Sequence, residues 1–507
     1  MYTFIGGIIL LILGYFTYGK YVEKVFGTKE RPTPAFTNSD GVDYVPMNTT
    51  KNSLIQLLNI AGVGPIFGPI LGALYGPAAF IWIVLGCILA GGVHDYLTGM
   101  ISIRNRGAHL PELAEKFLGK AMRHIVNGFA LLLLVLVGTV FVSAPGQLLY
   151  DLMGGKIGFA IIVGVIFAYY VLATLLPIDK IIGRFYPFFG ALLVLSAIGI
   201  GFGLVVTGEA ANIPELTLDS LHPGGLASFP LLCLTMSCGA LAGFHATQSP
   251  IISRTTQHEF HGRKIFYGMM IAEGVIAMIW AAAAMAMFYE PNAPFGAGLS
   301  AVLKEGGPAL VVSKVAITML GGVGGTLAIL GVIILPITSG DTAFRSARMI
   351  IADYLKVSQK AISKRLWIAL PMFVISAILL QIDFNILWRY FSWANQSTAV
   401  IALFVGSMYL YIGGKNYWIS LLPGSFMLMA TTTYILEQKI GFGLASDVAF
   451  IGATIISLAI ISAFFWQAKR QKAANLPLEE DLSGWNGEVS GAFVFSCKGN
   501  APAQDFQ

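Results

Sequence analysis

The chain has 507 residues, 56% of them apolar and 11% charged, with a mean hydropathy of +0.75. A soluble chain of this length carries about 25% charged residues and could not cover its surface with so few, so a cytosolic enzyme and a disordered chain are excluded. The net charge of +5 is too small for a polyanion-binding surface, which excludes a nucleic-acid binder and leaves a polytopic membrane protein.

A hydrocarbon core about 30 Å thick needs about 20 apolar residues per helix. Thirteen runs meet that need: 2–18, 54–76, 78–101, 125–149, 157–176, 185–207, 226–248, 265–289, 309–338, 366–381, 386–412, 417–437 and 447–467. The first has no basic flank before it and no small-residue cleavage site after it, and is expected to stay as a helix. The second carries Gly62, Gly64, Pro65, Gly68 and Pro69 near its middle. Proline removes a backbone donor and clashes with the preceding turn, and glycine is a weak helix former, so this helix is expected to break. Near the end of the third run lie His94 and Asp95. The seventh has Gly239 and Gly243 midway and the polar residues His245, Thr247, Gln248 and Ser249 after them, a second expected break. Run eight holds Glu273, and run nine ends in Pro336, Thr338, Ser339, Gly340 and Asp341. The eleventh contains Trp388, Arg389, Trp393, Asn395, Gln396 and Ser397. Segments 102–124 and 341–365 are basic and partly amphipathic, and are expected on the inner leaflet. Residues 468–507 read as a loosely ordered cytoplasmic tail.

Of the 31 Lys and Arg residues, 26 fall in odd-numbered loops or the tail and five on the other side. By the positive-inside rule the N-terminus is outside and the C-terminus inside. The two breaks lie five spans apart and run in opposite directions. Residues 54–207 and 226–412 therefore read as two five-helix units of inverted topology, the plan of secondary transporters with a midplane site between discontinuous helices. Residues 1–53 add a helix and a basic inner loop, 417–467 add two helices, and 468–507 form the tail. The competing reading is ordinary Gly/Pro kinking with small-residue helix packing.

Several motifs resemble the carbon starvation protein A (CstA) family: Asp40-Gly41-Val42-Asp43-Tyr44-Val45-Pro46, the Gly62–Pro69 segment, and Ala90-Gly91-Gly92-Val93-His94-Asp95-Tyr96. The resemblance continues through Cys238-Gly239-Ala240, Gly243-Phe244-His245, Asp341-Thr342-Ala343-Phe344-Arg345 and Asn395-Gln396, and so spans about residues 1–470. It implies a bacterial inner-membrane carrier tied to nutrient limitation, taking small peptides or, in some members, pyruvate. It also implies the five-plus-five inverted repeat of the leucine-transporter type. This chain departs from longer members in its length and in having His94 before Asp95 where the pattern has glutamine.

On this reading the free backbone groups at Gly62, Val63, Gly64, Gly68, Gly239 and Gly243 line the substrate site, where exposed N–H groups favour a carboxylate. The leucine-transporter resemblance makes Thr338 and Ser339, with Gly62 and Val63, candidates for a sodium site; the alternative is that the two hydroxyls bond back to their own helix. Ionisable groups inside spans are functional candidates by default. His94 and Asp95 are candidates for ion coupling, with Asp95 either a proton carrier or a structural partner of Arg104 or Arg345. Glu273 is a second carrier candidate or an interhelical hydrogen-bonding group. His245 either gates or binds substrate, or is a satisfied interfacial histidine. Asn395 and Gln396 are expected to join neighbouring helices. Asp341 and Arg345 are expected to form a solvated pair, or an inner-gate latch.

His258-Glu259-Phe260-His261 falls one residue short of a zincin motif, and Gly322-Val323-Gly324-Gly325 lacks a phosphate-loop lysine. Cys87, Cys233, Cys238 and Cys497 show no metal spacing. The expectation is therefore an ion-coupled secondary transporter of small peptides or pyruvate-like acids. It uses H⁺ or Na⁺ and no cofactor, with the lipid bilayer as its surroundings. A membrane-embedded enzyme and a passive channel are the alternatives. The oligomeric state cannot be read from the sequence.

Overall fold

The computed structural model describes residues 1–41, 43–175, 178–289, 294–296, 298–359, 361–482, 488–489 and 493–494; for 174–175, 178–189, 488–489 and 493–494 it describes the backbone alone. Val42, Lys360, Cys497 and Lys498 lie outside the described residues.

Helices α1 (Tyr2–Phe16) and α2 (Tyr18–Phe26) run on as one apolar stretch of 25 residues, closed by Gly27 at φ +69°. A short α3 (Pro34–Thr37) precedes α4 (Thr49–Ile60), whose first turn is capped by the Asn48 side chain accepting from the Thr50 amide. After α5 (Gly64–Gly72), α6 (Ala78–Leu85) continues through a wide turn at Gly86–Gly91 into α7 (Gly92–Arg104), a span of 27 residues. Next come α8 (Leu110–Leu118), α9 (Lys120–Leu152), α10 (Phe159–Leu175) and α11 (Ile178–Val206). The seventh apolar run appears as α12 (Leu231–Thr235) and α13 (Gly243–Ser253). They are followed by α14 (Gly268–Phe288) and by α15 (Leu299–Leu355), which is interrupted by non-helical backbone at Gly306, Gly307 and Gly321. The chain closes with α16 (Ile362–Leu379), α17 (Phe384–Ile412), α18 (Trp418–Glu437), α19 (Ser446–Ala473) and a pair of two-residue antiparallel strands, β1 (Glu488–Val489) and β2 (Phe493–Val494).

Among the described residues eight helices are long and apolar enough to cross a membrane, or nine if α4 and α5 are one bent span. Among the described residues the thirteen apolar runs fall largely on helix, and three of them are interrupted, 54–76, 226–248 and, at Gly321, 309–338. The fold is thus an all-helical membrane fold. Burial sorts the helices into inner and outer layers. Every residue from Ile276 to Phe288 of α14 is buried, as expected of a helix apolar on all sides at the centre of a bundle. By contrast α19 exposes Ile451, Ile455, Leu458 and Trp466 at its rim, where lipid would lie.

Two peripheral segments differ from expectation. Instead of lying apart on a leaflet, α8 buries Leu110, Leu113, Ala114 and Phe117 against α9 and α17, and α15 carries straight on from its span with Phe344, Arg345, Ala347 and Arg348 buried. The described stretch directly after α19, through residue 482, is docked rather than loose: the Glu480 amide donates to the Arg104 carbonyl at 2.8 Å, and Asn105 Nδ2 donates to the Leu478 carbonyl at 3.2 Å; most of the remaining tail lies outside the described residues. Within that stretch Glu479 and Glu480 pair with the basic groups Lys29, Arg31, Arg104 and Arg106.

Candidate functional site

The first break lies between α4 and α5, where the axis bends by 48°. Pro65, in the first turn of α5, has no N–H to continue the α4 ladder. Glycine is needed here for space. A Cβ on Gly62 would lie 2.4 Å from the Phe141 ring, and one on Gly64 would lie 2.2 Å from Cys238 Cβ. Gly68 faces the backbone of Thr235, Met236 and Cys238 at 3.5 Å. The first break is therefore packed directly on the second.

That second break runs from Met236 to Ala242 between α12 and α13. Gly239 sits at φ +86°, the left-handed region that favours glycine. Gly243 starts α13 against the backbone of α17, where a Cβ would meet Asn395 O at 2.2 Å and Ala399 N at 2.4 Å. The loose backbone is held by the two amides of α17. Asn395 Nδ2 donates to the Ser237 carbonyl at 2.7 Å, while its Oδ1 accepts from the Phe244 amide at 2.7 Å. Gln396 Nε2 donates to the Leu241 carbonyl at 2.9 Å. The wide turn at Gly86–Gly91 presses on the same segment: a Cβ on Gly91 would be 2.3 Å from the Ala240 carbonyl oxygen.

Between the two breaks lies a fully buried row of ionisable groups. His94 Nδ1 is 2.8 Å from Asp95 Oδ1, and His245 Nδ1 is 2.9 Å from Asp95 Oδ2. On its other side His245 Nε2 is 3.5 Å from Glu273 Oε2 on α14, too long for a strong hydrogen bond. His245 neighbours the backbone of Ile60, at the end of α4, and Glu273 that of Gly239. Asp95, weighed in the sequence as a partner of Arg104 or Arg345, is instead flanked by two histidines. Arg104 is engaged by Glu259 and Glu479, and Arg345 by the Ala173 carbonyl and Asp341.

The other predicted residues are placed as follows. Ser339 Oγ donates to the Leu58 carbonyl at 2.8 Å and so joins α15 to the end of α4, while Thr338 Oγ1 turns back to the Leu335 carbonyl at 2.7 Å. Asp341 and Arg345 are 3.9 Å apart and both buried, not solvated, and Arg345 Nη2 donates to the Ala173 carbonyl at 2.7 Å. The helix that carries them packs against α9, α10 and α11, so their surroundings are protein.

Two residues of α4 escaped the sequence reading. Gln56 and Asn59 are fully buried, and all four of their amide atoms lack a hydrogen-bond partner among the described residues. Each such atom costs about 1–3 kcal/mol, and native interiors hold few of them. A signal existed in the sequence: Asn52, Gln56 and Asn59 recur at i, i+4 and i+7, a polar stripe along one helix face.

At one end of α7 the chemistry is different. Arg104 uses all five of its N–H donors. Nε and Nη2 grip Glu259 at 3.0 and 2.7 Å, Nη1 donates to Tyr409 Oη and Glu479 Oε1 at 2.9 Å each, and Nη2 also donates to the Gly27 carbonyl at 2.7 Å. Glu479 also accepts from Lys29 Nζ at 2.9 Å and Arg31 Nη1 at 2.7 Å.

Broken helices packed on each other around buried ionisable groups, inside an all-helical bundle, describe a membrane-transporter fold. A crystal structure of a manganese transporter from Eremococcus coleocola, in complex with an aromatic bis-isothiourea substituted compound, is similar with a TM-score of 0.54 at 13% identity, covering 87% of this chain and 99% of that one. At that identity the likeness is one of fold alone. The family follows from sequence: residues 1–165, 156–305 and 297–434 match the model described as carbon starvation protein CstA, and the chain belongs to that family. An uncharacterized membrane protein of Haemophilus influenzae is 48% identical over 56% of this chain and 90% of its own length. The peptide transporter CstA of Escherichia coli is 24% identical over 87% of this chain and 82% of its own. The pyruvate/proton symporter BtsT of Escherichia coli is 26% identical over 58% of this chain and 50% of its own length. The protein is accordingly a multi-pass bacterial membrane protein.

Proposed function

We propose that the protein is a secondary active transporter that imports small peptides or pyruvate-like carboxylates, driven by protons, in cells facing carbon limitation. The observation that carries this reading is the packing of the two helix breaks onto one another around His94, Asp95, His245 and Glu273. Discontinuous helices supply free backbone groups for a substrate carboxylate, and buried carboxylates supply a place for a coupling proton. The names of the relatives, one a peptide transporter and one a pyruvate/proton symporter, support the same class.

In this reading residues 54–207 and 226–412 are inverted five-helix repeats of the leucine-transporter type, and the thirteen apolar runs are thirteen spans. The N-terminus is outside and the basic loops face the cytoplasm. Gly62, Val63, Gly64, Gly68, Gly239 and Gly243 contribute backbone to the substrate, with His245 beside it. Glu273 takes a proton from one side, and His245, Asp95 and His94 pass the change of charge towards α7. Neutralising one buried carboxylate removes a large desolvation cost, which lets the helix halves around it separate and alternate access. Asn395 and Gln396 keep the second break attached to α17 as it moves. Asp341 and Arg345 hold α15 to α10.

The test is uptake by purified protein in proteoliposomes, with labelled dialanine and pyruvate under an imposed pH gradient. Accumulation that collapses with a protonophore supports a proton-driven carrier. Equilibration without accumulation indicates a channel, and chemical conversion of the substrate an enzyme. One contact favours a second coupling ion: Ser339 Oγ donates to the Leu58 carbonyl near the end of α4, just before the break that holds Gly62 and Val63. Dependence of uptake on Na⁺ at fixed pH would assign the coupling there.

A further inference from the structure

We propose that Gln56 and Asn59 form a subsite that binds the amide unit of a peptide, so that this carrier selects short peptides over keto acids. The inference rests on the carrier reading above and adds the substrate class. The face of α4 that bears these residues also bears Asn52, and there the register with α13 is known. Thr255 Oγ1 donates to Asn52 Oδ1 at 2.8 Å, and Asn52 Nδ2 donates to Thr256 Oγ1 at 3.1 Å. So the stripe Asn52, Gln56, Asn59 starts against the turn that follows α13 and climbs to the end of α4, beside His245. Asn52 is satisfied by protein; the next two amides on the same face are not, although both are fully buried.

A carboxamide has a donor and an acceptor side by side. Its complement is the edge of one residue in an extended peptide, whose C=O takes the carboxamide N–H and whose own N–H, on the same side, goes to the carboxamide oxygen. A peptide offers that complement. Pyruvate offers acceptors alone and would leave Gln56 Oε1 and Asn59 Oδ1 as bare as they are now. Asn52 and Asn395 have both ends occupied by protein, and Gln396 and Asn127 each leave one amide atom unpartnered, whereas Gln56 and Asn59 lack a partner at both ends among the described residues. The contrast sets Gln56 and Asn59 apart as groups awaiting a ligand, one turn from the titratable row.

The experiment uses the full-length protein with Gln56→Leu and Asn59→Leu, which keep the bulk and remove the polar atoms. Two quantities are read: the KM for labelled dialanine and for pyruvate in proteoliposomes, and the melting temperature in detergent with and without dialanine. The expected result is a rise in the dialanine KM of about tenfold or more, because a site built for hydrogen bonds loses them, with any pyruvate uptake unchanged. The ligand-free melting temperature should hold or rise, since an unpaired buried polar group has been removed, and the stabilisation by dialanine should vanish. An unchanged dialanine KM in both variants overturns the subsite, as does a marked fall in ligand-free melting temperature, which would reveal a structural role. A wild type that carries pyruvate but no peptide overturns the subsite and leaves the carrier standing. A wild type that neither carries nor is stabilised by either compound overturns both.

Discussion

The bundle buries charge in two places, and treats it oppositely. Around Arg104 every donor is matched: Glu259, Tyr409, Gly27 and Glu479 together use the whole guanidinium, and Phe26 lies beneath it at 4.2 Å. Around Asp95 the accounts stay open. His94 Nε2 and both oxygens of Glu273 have no hydrogen-bond partner among the described residues, and neither do Gln56 and Asn59 one helix away. A buried ion pair is tolerated when its geometry is complete and its remaining hydrogen bonds are filled. An incomplete set persists in a stable protein when something other than the protein completes it. The first region is a fastening, and on the proposed function the second is where substrate and proton act.

That contrast can be broken or sharpened by mutation, and the largest effect is expected at the fastening. Arg104→Ala leaves Glu259 buried and alone, and should destabilise the protein by about 3–5 kcal/mol in a thermal unfolding measurement. A variant as stable as wild type would place Arg104 with the open set instead. Asp95→Asn should do the reverse: stability near wild type, but proton-driven accumulation reduced about 100-fold, as is common when a proton-transferring group is lost. Downhill exchange should survive, and its loss would make Asp95 structural. Gly243→Ala pushes a methyl into the α17 backbone, which has no flexible side chain to yield, and should cost about 1–3 kcal/mol in the same unfolding measurement. The smallest effect belongs to Glu479→Gln at the partly exposed edge of the fastening, about 1 kcal/mol or less.

The tail carboxylate also sets a pH dependence. Burial would raise the Glu479 carboxyl, but its hydrogen bond to Lys29 and the charges of Arg104, Lys29 and Arg31 prevail and hold it below its ordinary value of 4.5. A lowered value in the folded state means the stabilisation is present above 4.5 and is lost as the pH falls through the folded-state value. Hydrogen exchange of residues 476–482, corrected for intrinsic rate, should therefore show constant protection from neutral pH down to about 5 and loss below about 4.

Much of the architecture was legible because the bilayer imposes a length on every apolar run and proline and glycine punctuate helices by local sterics. Both breaks were placed from Gly62–Pro69 and Gly239–Gly243 for that reason. What could not be read was who faces whom. His245 lies 150 residues from Asp95, and no local rule joins them. Asp341 and Arg345 have the spacing of a surface pair, and burial by α9, α10 and α11 overrides it. The docking of Leu478–Glu480 was hidden by a composition typical of loose chain, though two glutamates opposite basic loops were a hint. Gln56 was overlooked since a lone glutamine in an apolar run looks incidental until the stripe with Asn52 and Asn59 is drawn.

The fastening at Arg104 has a consequence for how the chain is made. Its members come from both extremes of the polypeptide: Gly27, Lys29 and Arg31 near the start, Arg104 and Glu259 in between, and Glu479 near the end. Synthesis runs from the N-terminus and helices settle as they emerge. Three cations therefore wait beside one carboxylate until α19 has been made, and the stretch that follows it brings the second. A polypeptide halted after α19 would carry every candidate membrane span among the described residues and still leave that face one negative charge short.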